Sequence, residues 1–259
     1  MILYTHTHTH GYSFNELLNT ITLGDSYEII KDIPDNSIDC IYTDIPYLYE
    51  NGGKSNTPLA LRIQKIHTED NKKIRDGIDY SILNEFKRVM KWTNCFIWCS
   101  KEQILDILNW FKKNTNSTFN ILCWLKTNPT PQTNGVWLSD IEYCLYFREK
   151  ETIKLNEGYE NKSKWYLSAI NKYDKNKYKH PTIKPLEFVK KNLLHTTQKG
   201  DIVLDCFSGS GTTCVACKEL GRQFIGIEID PEYHRISLDR LNGILANGQI
   251  SFDTDINKI

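Results

Sequence analysis

The chain has 259 residues, the length of one large domain or of one domain with a modest insertion. Hydrophobic residues make up 40% and charged residues 25%, mean hydropathy is −0.48, and no apolar run approaches the roughly 18 residues of a membrane span. A disordered, collagen-like, coiled-coil or membrane protein is therefore excluded. Basic and acidic residues number 32 each, so the net charge is zero, which excludes binding through bulk positive charge but not through a local basic patch.

The first 19 residues differ in pattern from the rest of the chain. His6, His8 and His10 alternate with threonine, so their imidazoles would share one face of a strand, but a fourth metal ligand is missing. We interpret residues 1–19 as a disordered or artificially appended tail and residues 20–259 as a single domain. No metal site is predicted.

Strand and helix patterns alternate along the remaining chain. In chain order we predict a short strand and turn at 20–28, a strand at 38–43, a helix at 78–91, a strand at 95–99, a helix at 101–113, strands at 119–125 and 141–147, a helix at 185–194, a strand at 201–206, a helix at 212–220, a strand at 224–229 and a helix from Pro231 to about Ala246. This alternation predicts an α/β fold with a mainly parallel sheet.

The segment from residue 201 to residue 229 has the pattern of a nucleoside-binding site. An apolar strand ends at Asp205, a loop with two glycines follows, and a helix begins at Thr212. Ligands bind at such strand ends, where glycines permit close approach and a helix N-terminus supplies free N–H groups. Glu228 ends the next strand, seventeen residues after Gly211, where a carboxylate can accept hydrogen bonds from ribose hydroxyls.

The charge of this segment narrows the choice of cofactor. The dinucleotide motif G-x-G-x-x-G is incomplete because Cys214 occupies the third glycine position, and the P-loop motif is absent. Asp205 instead favours a cationic ligand. S-adenosylmethionine carries an ammonium and a sulfonium but no phosphate, and it therefore fits better than a nicotinamide or nucleotide cofactor.

A second segment, Asp44-Ile45-Pro46-Tyr47, also follows a strand. Alone it could be an ordinary proline turn, but with three other segments it resembles the amino-methyltransferases that modify adenine N6 or cytosine N4 in DNA. Their catalytic motif is D/N/S-P-P-Y/F/W, which the chain matches at three of four positions. The other similar segments are the cofactor motif DxFxGxGTT at 205–213, HPTxKP at 180–185, and the lead-in to the catalytic strand at 23–44.

The resemblance implies a fold and a set of site residues. The catalytic motif precedes the cofactor motif, as in the β-group of the family, which implies a Rossmann-like sheet of about seven strands with helices on both faces. Asp44 and the carbonyl of Ile45 would accept hydrogen bonds from the target amine, and Pro46 and Tyr47 complete the catalytic motif, with Tyr47 stacking on the base. The implied cofactor residues are Asp25, His180, Thr182, Lys184, Pro185, Asp205, Phe207, Ser208, Gly209, Ser210, Gly211, Thr212, Thr213 and Glu228.

The same resemblance implies the reaction. Aspartate at position 44 favours adenine over cytosine in this family, so we expect methylation of adenine N6 in double-stranded DNA, at a short specific sequence and through base flipping. Cytosine-N4 or RNA methylation remains an alternative. So does a non-catalytic binder, because Ile45 replaces the usual proline. The resemblance is compatible with a homodimer and with a companion restriction endonuclease.

Contacts to DNA phosphates require local cations. Residues 161–179 contain six lysines and one aspartate, interleaved with aromatic residues, which predicts a target-recognition segment at about 150–179. The polar loop at 48–76 is expected to close over DNA beside Tyr47. The DNA-binding candidates are Arg62, Lys65, Lys126, Asn128, Lys162, Lys164, Trp165, Lys172, Lys175 and Lys177.

The eight cysteines do not form a disulfide framework, since six lie singly in apolar stretches. Cys214 and Cys217 form a CxxC pair in a helical segment, for which we predict core packing rather than metal or redox chemistry. Reduced cysteines without a targeting segment predict a cytoplasmic protein.

Overall fold

The computed structural model describes residues 11–48, 77–129, 137–149, 162–170 and 183–244. Its helices are α1 (Phe14–Leu17), α2 (Ser26–Ile29, continued by a 3₁₀ turn at Ile30–Asp32), α3 (Ile82–Val89), α4 (Ile104–Asn114), α5 (Leu186–Thr196), α6 (Thr212–Leu220) and α7 (Pro231–Leu241). Its strands are β1 (Thr20–Leu23), β2 (Cys40–Asp44), β3 (Asn94–Cys99), β4 (Thr118–Lys126), β5 (Ile141–Arg148), β6 (Trp165–Ser168), β7 (Ile202–Asp205) and β8 (Gln223–Glu228). None of the described helices is long and apolar enough to cross a membrane.

The strands form one sheet in the order β1-β8-β7-β2-β3-β5-β4-β6. Every neighbouring pair is parallel except the two pairs that β5 makes with β3 and β4. The predicted α/β fold with a mainly parallel sheet is therefore confirmed. The carboxyl ends of the seven parallel strands meet at one edge of the sheet, together with the first residues of β5. We call this the carboxyl edge.

The sheet has eight strands where about seven were expected. The additional strand is β6, which lies in a segment without visible periodicity and pairs with β4 from Cys123↔Trp165 to Lys126↔Ser168. Four residues are too few to establish a period of two, and this edge strand is exposed at alternate positions. Main-chain pairing rather than a buried apolar face thus adds β6 to the sheet.

Helices cover both faces of the sheet, because successive strand residues point in opposite directions. Ile41 of β2 packs in one cluster with Phe86 of α3 and Phe111 of α4. Its neighbour Tyr42 packs in a second cluster with Phe188 of α5 and with α6. Strand β3 is buried along its whole length between these layers.

The domain begins earlier than the predicted boundary at residue 20. Leu17 of α1 is fully buried in the core, and the backbone N–H of Asn19 donates to the carbonyl of Phe224, 2.6 Å away. Residues 13–19 are thus part of the fold, and their interpretation as a tail is wrong. The threonine-histidine repeat at 5–10 lies outside the described residues.

The end of α7 and the packing of the CxxC pair were also predicted from the sequence. Helix α7 ends at Leu241 rather than near Ala246, because Gly243 adopts a left-handed conformation with φ of 69° and terminates it. Cys214 and Cys217 are completely buried on the face of α6 that packs against the sheet, which confirms core packing. All eight cysteines are free thiols.

Candidate active site

A cavity of about 360 Å³ opens at the carboxyl edge and joins both predicted motifs. The whole Asp44–Tyr47 turn lines it. So do the following predicted cofactor residues: Lys184, Asp205, Phe207, Ser208, Gly209, Ser210, Thr212, Thr213 and Glu228. Neighbouring strands deliver these segments to a common space, as the parallel sheet requires.

Asp205 is a buried carboxylate at the end of β7. Its Oδ1 accepts hydrogen bonds from Thr43 Oγ1 at 2.9 Å and from the N–H of Phe207 at 3.3 Å. Burial raises the pKa of Asp205 to about 7, although hydrogen bonds from Thr213 and Thr43 oppose the shift. Asp205 makes no ion pair with any described residue, so a cationic ligand would stabilise its charge.

Glu228 is oriented by backbone N–H groups at the end of β8. Its Oε2 accepts from the N–H of Gly209 at 2.6 Å, and its Oε1 accepts from the N–H of Asp230 at 2.8 Å. Burial raises the pKa of Glu228, while these hydrogen bonds lower it in part. A carboxylate oxygen can accept more than one hydrogen bond, so Glu228 can still accept from ligand hydroxyls.

Two glycines and an arginine hold the loop that precedes α6. Gly211 has a φ of 73°, and a Cβ there would lie 3.0 Å from Ser237 Cβ. A Cβ on Gly226 of β8 would lie 2.8 Å from Ser208 Oγ, so the loop packs directly on the strand. Buried Arg240 donates to the carbonyl of Ser210 and to Thr212 Oγ1, at 3.2 and 2.6 Å. These contacts with β8 and α7 fix one side of the loop, and its other side lines the cavity.

The Asp44–Tyr47 turn is fixed by backbone hydrogen bonds rather than by two prolines. The N–H of Ile45 donates to the carbonyl of Trp98 at 3.2 Å. Gln103, which is completely buried, donates from Nε2 to the carbonyl of Pro46 at 3.0 Å. The Ile45 side chain is itself in the core, 2% exposed. These contacts supply rigidity that the missing proline would otherwise provide.

Four charged side chains form a network beside this turn. Lys184 Nζ lies 2.6 Å from Asp44 Oδ2 and 3.0 Å from Glu142 Oε2. Glu142 Oε1 in turn lies 2.7 Å from Lys126 Nζ. The two lysines balance the two carboxylates, so the network carries no net charge.

Aromatic rings complete the surroundings of the Lys184 ammonium. Its Nζ lies 5.1 Å from the centroid of the Tyr47 ring and 5.2 Å from that of Trp98, within the range of cation–π attraction. The Tyr47 hydroxyl donates to Glu142 Oε2 at 3.4 Å. The catalytic turn and the charge network are thus mechanically connected.

The network decides the ionisation of its members. Burial raises the pKa of Asp44, and the adjacent Lys184 ammonium opposes that shift. For Glu142, burial also acts to raise the pKa, but Lys184 and Lys126 outweigh it and lower the pKa to about 2. Asp44 Oδ1 is buried and accepts no hydrogen bond from the described residues. One acceptor atom therefore stays unused in the catalytic motif.

Several predicted cofactor residues take other places. Asp25 is an exposed N-cap of α2, with Oδ1 accepting from the N–H of Tyr27 at 2.9 Å, and it does not line the cavity. Pro185 and Gly211 are the N-caps of α5 and α6. His180 and Thr182 lie outside the described residues.

The predicted DNA-binding residues do not lie together. Lys126 is already paired with Glu142, and Asn128 Oδ1 accepts from the N–H of Ile170 at 2.5 Å. Lys162, Lys164 and Trp165 are exposed near the amino end of β6, away from the carboxyl edge. Arg62, Lys65, Lys172, Lys175 and Lys177 lie outside the described residues.

Sequence reasoning missed seven residues that line the cavity: Tyr42, Trp98, Glu142, Val189, Ile229, Asp230 and Tyr233. Two signals could have found most of them. Trp98 belongs to the strand next to the catalytic one, and residues 229–233 directly follow Glu228 at the start of α7. Glu142 offers no such signal, because its position depends on how β5 pairs with β3 and β4.

Comparisons with known proteins identify a family and several relatives of this chain. A family model described as DNA methylase matches residues 38–239. The chain is 30% identical to the type II methyltransferase M2.MboI of Moraxella bovis over 91% of its own length and 92% of that protein. It is 31% identical to M.HinfI of Haemophilus influenzae, covering 91% of this chain and 71% of the relative.

Solved structures show the same architecture. The M1.HpyAVI–SAM complex superposes with a TM-score of 0.61 at 27% identity, covering 85% of this chain and 98% of the other. The cytosine-N4-specific PvuII DNA methyltransferase shares the fold, with a TM-score of 0.63 at 16% identity and coverage of 85% and 87%. The family match spans most of the chain and includes both motifs that line the cavity. The chain therefore belongs to the DNA methylase family of N6 and N4 amino-methyltransferases.

Proposed function

We propose that this DNA methyltransferase transfers a methyl group from S-adenosylmethionine to N6 of adenine in double-stranded DNA, within a short recognition sequence. One observation carries the proposal: the Asp44–Tyr47 turn and the Asp205–Thr213 loop open into the same cavity. An enzyme that joins a cofactor to a base needs both sites within one space.

S-adenosylmethionine is the cofactor, and the first part of the cavity fits it. Glu228 would bind the ribose hydroxyls with the lone pairs its oxygens retain, and Asp205 would face the cationic part of the molecule. Among the described lining residues, the end formed by Asp205, Glu228 and Asp230 is acidic, which suits a cation without phosphate. When bound, the cofactor supplies an electrophilic methyl group on a positively charged sulfur.

The second part of the cavity suits an exocyclic amine. The lone pair of such an amine is delocalised into the base, so acceptors that hold its hydrogens favour a tetrahedral, more nucleophilic nitrogen. Asp44 Oδ1 and the carbonyl of Ile45 would be these acceptors. The Tyr47 ring would stack on the base, worth about 1–3 kcal/mol. This stacking helps to offset the few kcal/mol required to flip the base from the duplex.

Adenine is preferred to cytosine because the catalytic motif begins with aspartate, which the family resemblance associates with adenine. The fold alone does not select the base, since the structural neighbours include a cytosine-N4-specific enzyme. The curated relatives are type II methyltransferases. We therefore also propose a cytoplasmic role in restriction-modification with a companion endonuclease, and a homodimer stays a prediction.

The test is transfer of labelled methyl groups from S-adenosylmethionine to unmethylated DNA, followed by digestion to nucleosides. We expect N6-methyladenine with the wild-type protein and none with Asp44→Ala. Asp35→Asn is the matched control, because this exposed aspartate precedes β2 at the opposite end of the strand. N4-methylcytosine as the product would overturn the base assignment. In a parallel reaction with RNA, label on RNA but not on DNA would overturn the assignment of DNA as substrate.

A further inference from the structure

Glu142 contacts three other side chains at the centre of the charge network. Its Oε2 lies 3.0 Å from Lys184 Nζ and 3.4 Å from the Tyr47 hydroxyl, and its Oε1 lies 2.7 Å from Lys126 Nζ. The side chain is 19% exposed. A carboxylate shielded in this way is stable only if its partners stay in place.

Lys126 anchors Glu142 from the neighbouring strand. Glu142 pairs with Trp124 in the antiparallel register of β4 and β5, which brings Lys126 diagonally beside it. The Lys126 ammonium also lies 3.5 Å from the carbonyl of Ser139, and its side chain is only 13% exposed. Lys126 is therefore a largely shielded charge that is already paired with a carboxylate.

Lys184 transmits this arrangement to Asp44. The Lys184 side chain is 9% exposed, and its ammonium contacts both carboxylates. Without Glu142 the ammonium would keep only Asp44 as an acidic partner among the described residues, and it would attract Asp44 more strongly. With Glu142 in place the attraction is shared: Lys184 holds Asp44 through Oδ2, while Oδ1 accepts no hydrogen bond from the part of the chain that the structure describes.

We propose that Glu142 and Lys126 are positioning residues for methyl transfer, which act through the Lys184 ammonium to hold Asp44 by one oxygen and leave the other as acceptor for the target amine. This inference rests on the proposed role of Asp44. It assigns Lys126 to the catalytic machinery rather than to DNA phosphate.

The inference predicts opposite effects of removing the two charges on Asp44. Glu142→Gln removes a nearby negative charge and strengthens the hold of Lys184, so the pKa of Asp44 falls. Lys126→Gln removes the second cationic partner of Glu142, so Glu142 attracts the Lys184 ammonium more strongly. Lys184 then stabilises the Asp44 carboxylate less, and the pKa of Asp44 rises. The other groups facing Asp44 are unchanged in both variants; they are Tyr47, Cys99, Cys144, Asp205 and Lys184.

The experiment is a carbon-13 NMR titration of aspartate carboxyls in the cofactor-free protein, with Asp44 assigned by the loss of its signal in Asp44→Asn. We expect the Asp44 midpoint to move down in Glu142→Gln and up in Lys126→Gln, each by about half a pH unit or more. The double variant should lie between them. Glu149→Gln, just beyond the other end of β5, is the matched control and should not move it.

A second readout is the single-turnover rate of methyl transfer to DNA, where Glu142→Gln should fall about 10-fold with little change in cofactor affinity. Shifts of the same sign, or no shift in either folded variant, would overturn the inference. So would lower melting temperatures with an unchanged Asp44 midpoint, because that pattern indicates a purely structural role. The titration needs no methyl transfer, so failure of the proposed function on DNA would be recognised separately.

Discussion

The acidic side chains at the two ends of the cavity have different kinds of partner. At the end formed by β7 and β8, the carboxylates of Asp205 and Glu228 accept hydrogen bonds from hydroxyl and N–H groups, and burial raises both pKa values. At the end formed by β2 and β5, Asp44 and Glu142 are matched by two lysines. Both ends contain acidic side chains, but among the described residues only Asp44 and Glu142 form ion pairs with lysines of the protein.

This difference shows what each end still requires. A carboxylate buried without an ion pair is costly in the free protein and becomes favourable when a cation binds. The Asp205–Glu228 end is therefore prepared for a positively charged cofactor. The Asp44 end needs no external charge, and under the proposed function its Oδ1, which has no hydrogen-bond partner among the described residues, would accept from a neutral amine.

Removing Asp44 should give the largest effect. Asp44→Asn keeps the size of the side chain but loses the charged acceptor and the ion pair with Lys184, so we expect methyl transfer to fall about 1,000-fold. The affinity for S-adenosylmethionine should change less than about threefold, because that end of the cavity is intact. Rate measurements with saturating cofactor and calorimetry check the two parts. A comparable loss of cofactor affinity would contradict the separation of the two ends.

Removing Asp205 should show the opposite pattern. Asp205→Asn deletes the charge at the cofactor end, and we expect S-adenosylmethionine to bind about 30-fold more weakly, by analogy with other charged pairs. The cofactor-free variant should nevertheless melt a few degrees higher than the wild type at pH 8. The folded pKa of about 7 lies above the unfolded value near 3.8, so ionisation of Asp205 destabilises the fold increasingly as the pH rises between these values.

At pH 4 the same substitution should have almost no effect on the melting temperature, because Asp205 is then neutral in the fold. Equal stabilisation at pH 4 and pH 8 would contradict this explanation. Melting curves of both proteins at the two pH values, without cofactor, provide the comparison.

The pH dependence of cofactor binding should follow from the same group. A cation binds best to ionised Asp205, so affinity for S-adenosylmethionine should weaken as the pH falls below 7, at first by up to about tenfold per pH unit, and should level off after the about 30-fold loss expected for Asp205→Asn. Calorimetry from pH 5 to pH 8 measures the slope. Asp205→Asn should remove this slope. A slope that persists in the variant would assign the titration to another group.

The sequence predicted the cofactor end better than the catalytic end. The Asp205 loop, α6 and Glu228 occur within 24 consecutive residues, so local spacing is enough to place them at one cavity. Asp44 and Tyr47 were also found, because their motif is local. Glu142, however, reaches Asp44 only through the pairing of β5 with β3, and no local pattern contains that register.

The same limit applies to the fold. Strands β2, β3, β7 and β8 are apolar and buried, so composition predicts them. Strand β6 is short and exposed at alternate positions, and α1 contributes a single buried residue, Leu17. Elements that depend on main-chain pairing or one anchor carry little sequence signal, and both of these were missed.

The smallest expected effect concerns the link between the catalytic turn and the network. Tyr47→Phe keeps the stacking ring and its contact with the Lys184 ammonium but loses the hydroxyl, which makes a long hydrogen bond of 3.4 Å to Glu142 and also interacts with Asp44. A hydrogen bond of this length is weak, so we expect only about a two- to threefold lower rate of methyl transfer. Tyr47→Ala, which removes the ring, should lose about tenfold or more in binding of a flipped base. Single-turnover rates and DNA-binding measurements on both variants make the comparison. Equal losses in the two variants would mean that the hydroxyl, and not stacking, gives Tyr47 its role, and the catalytic end would then depend on the network even for holding the base.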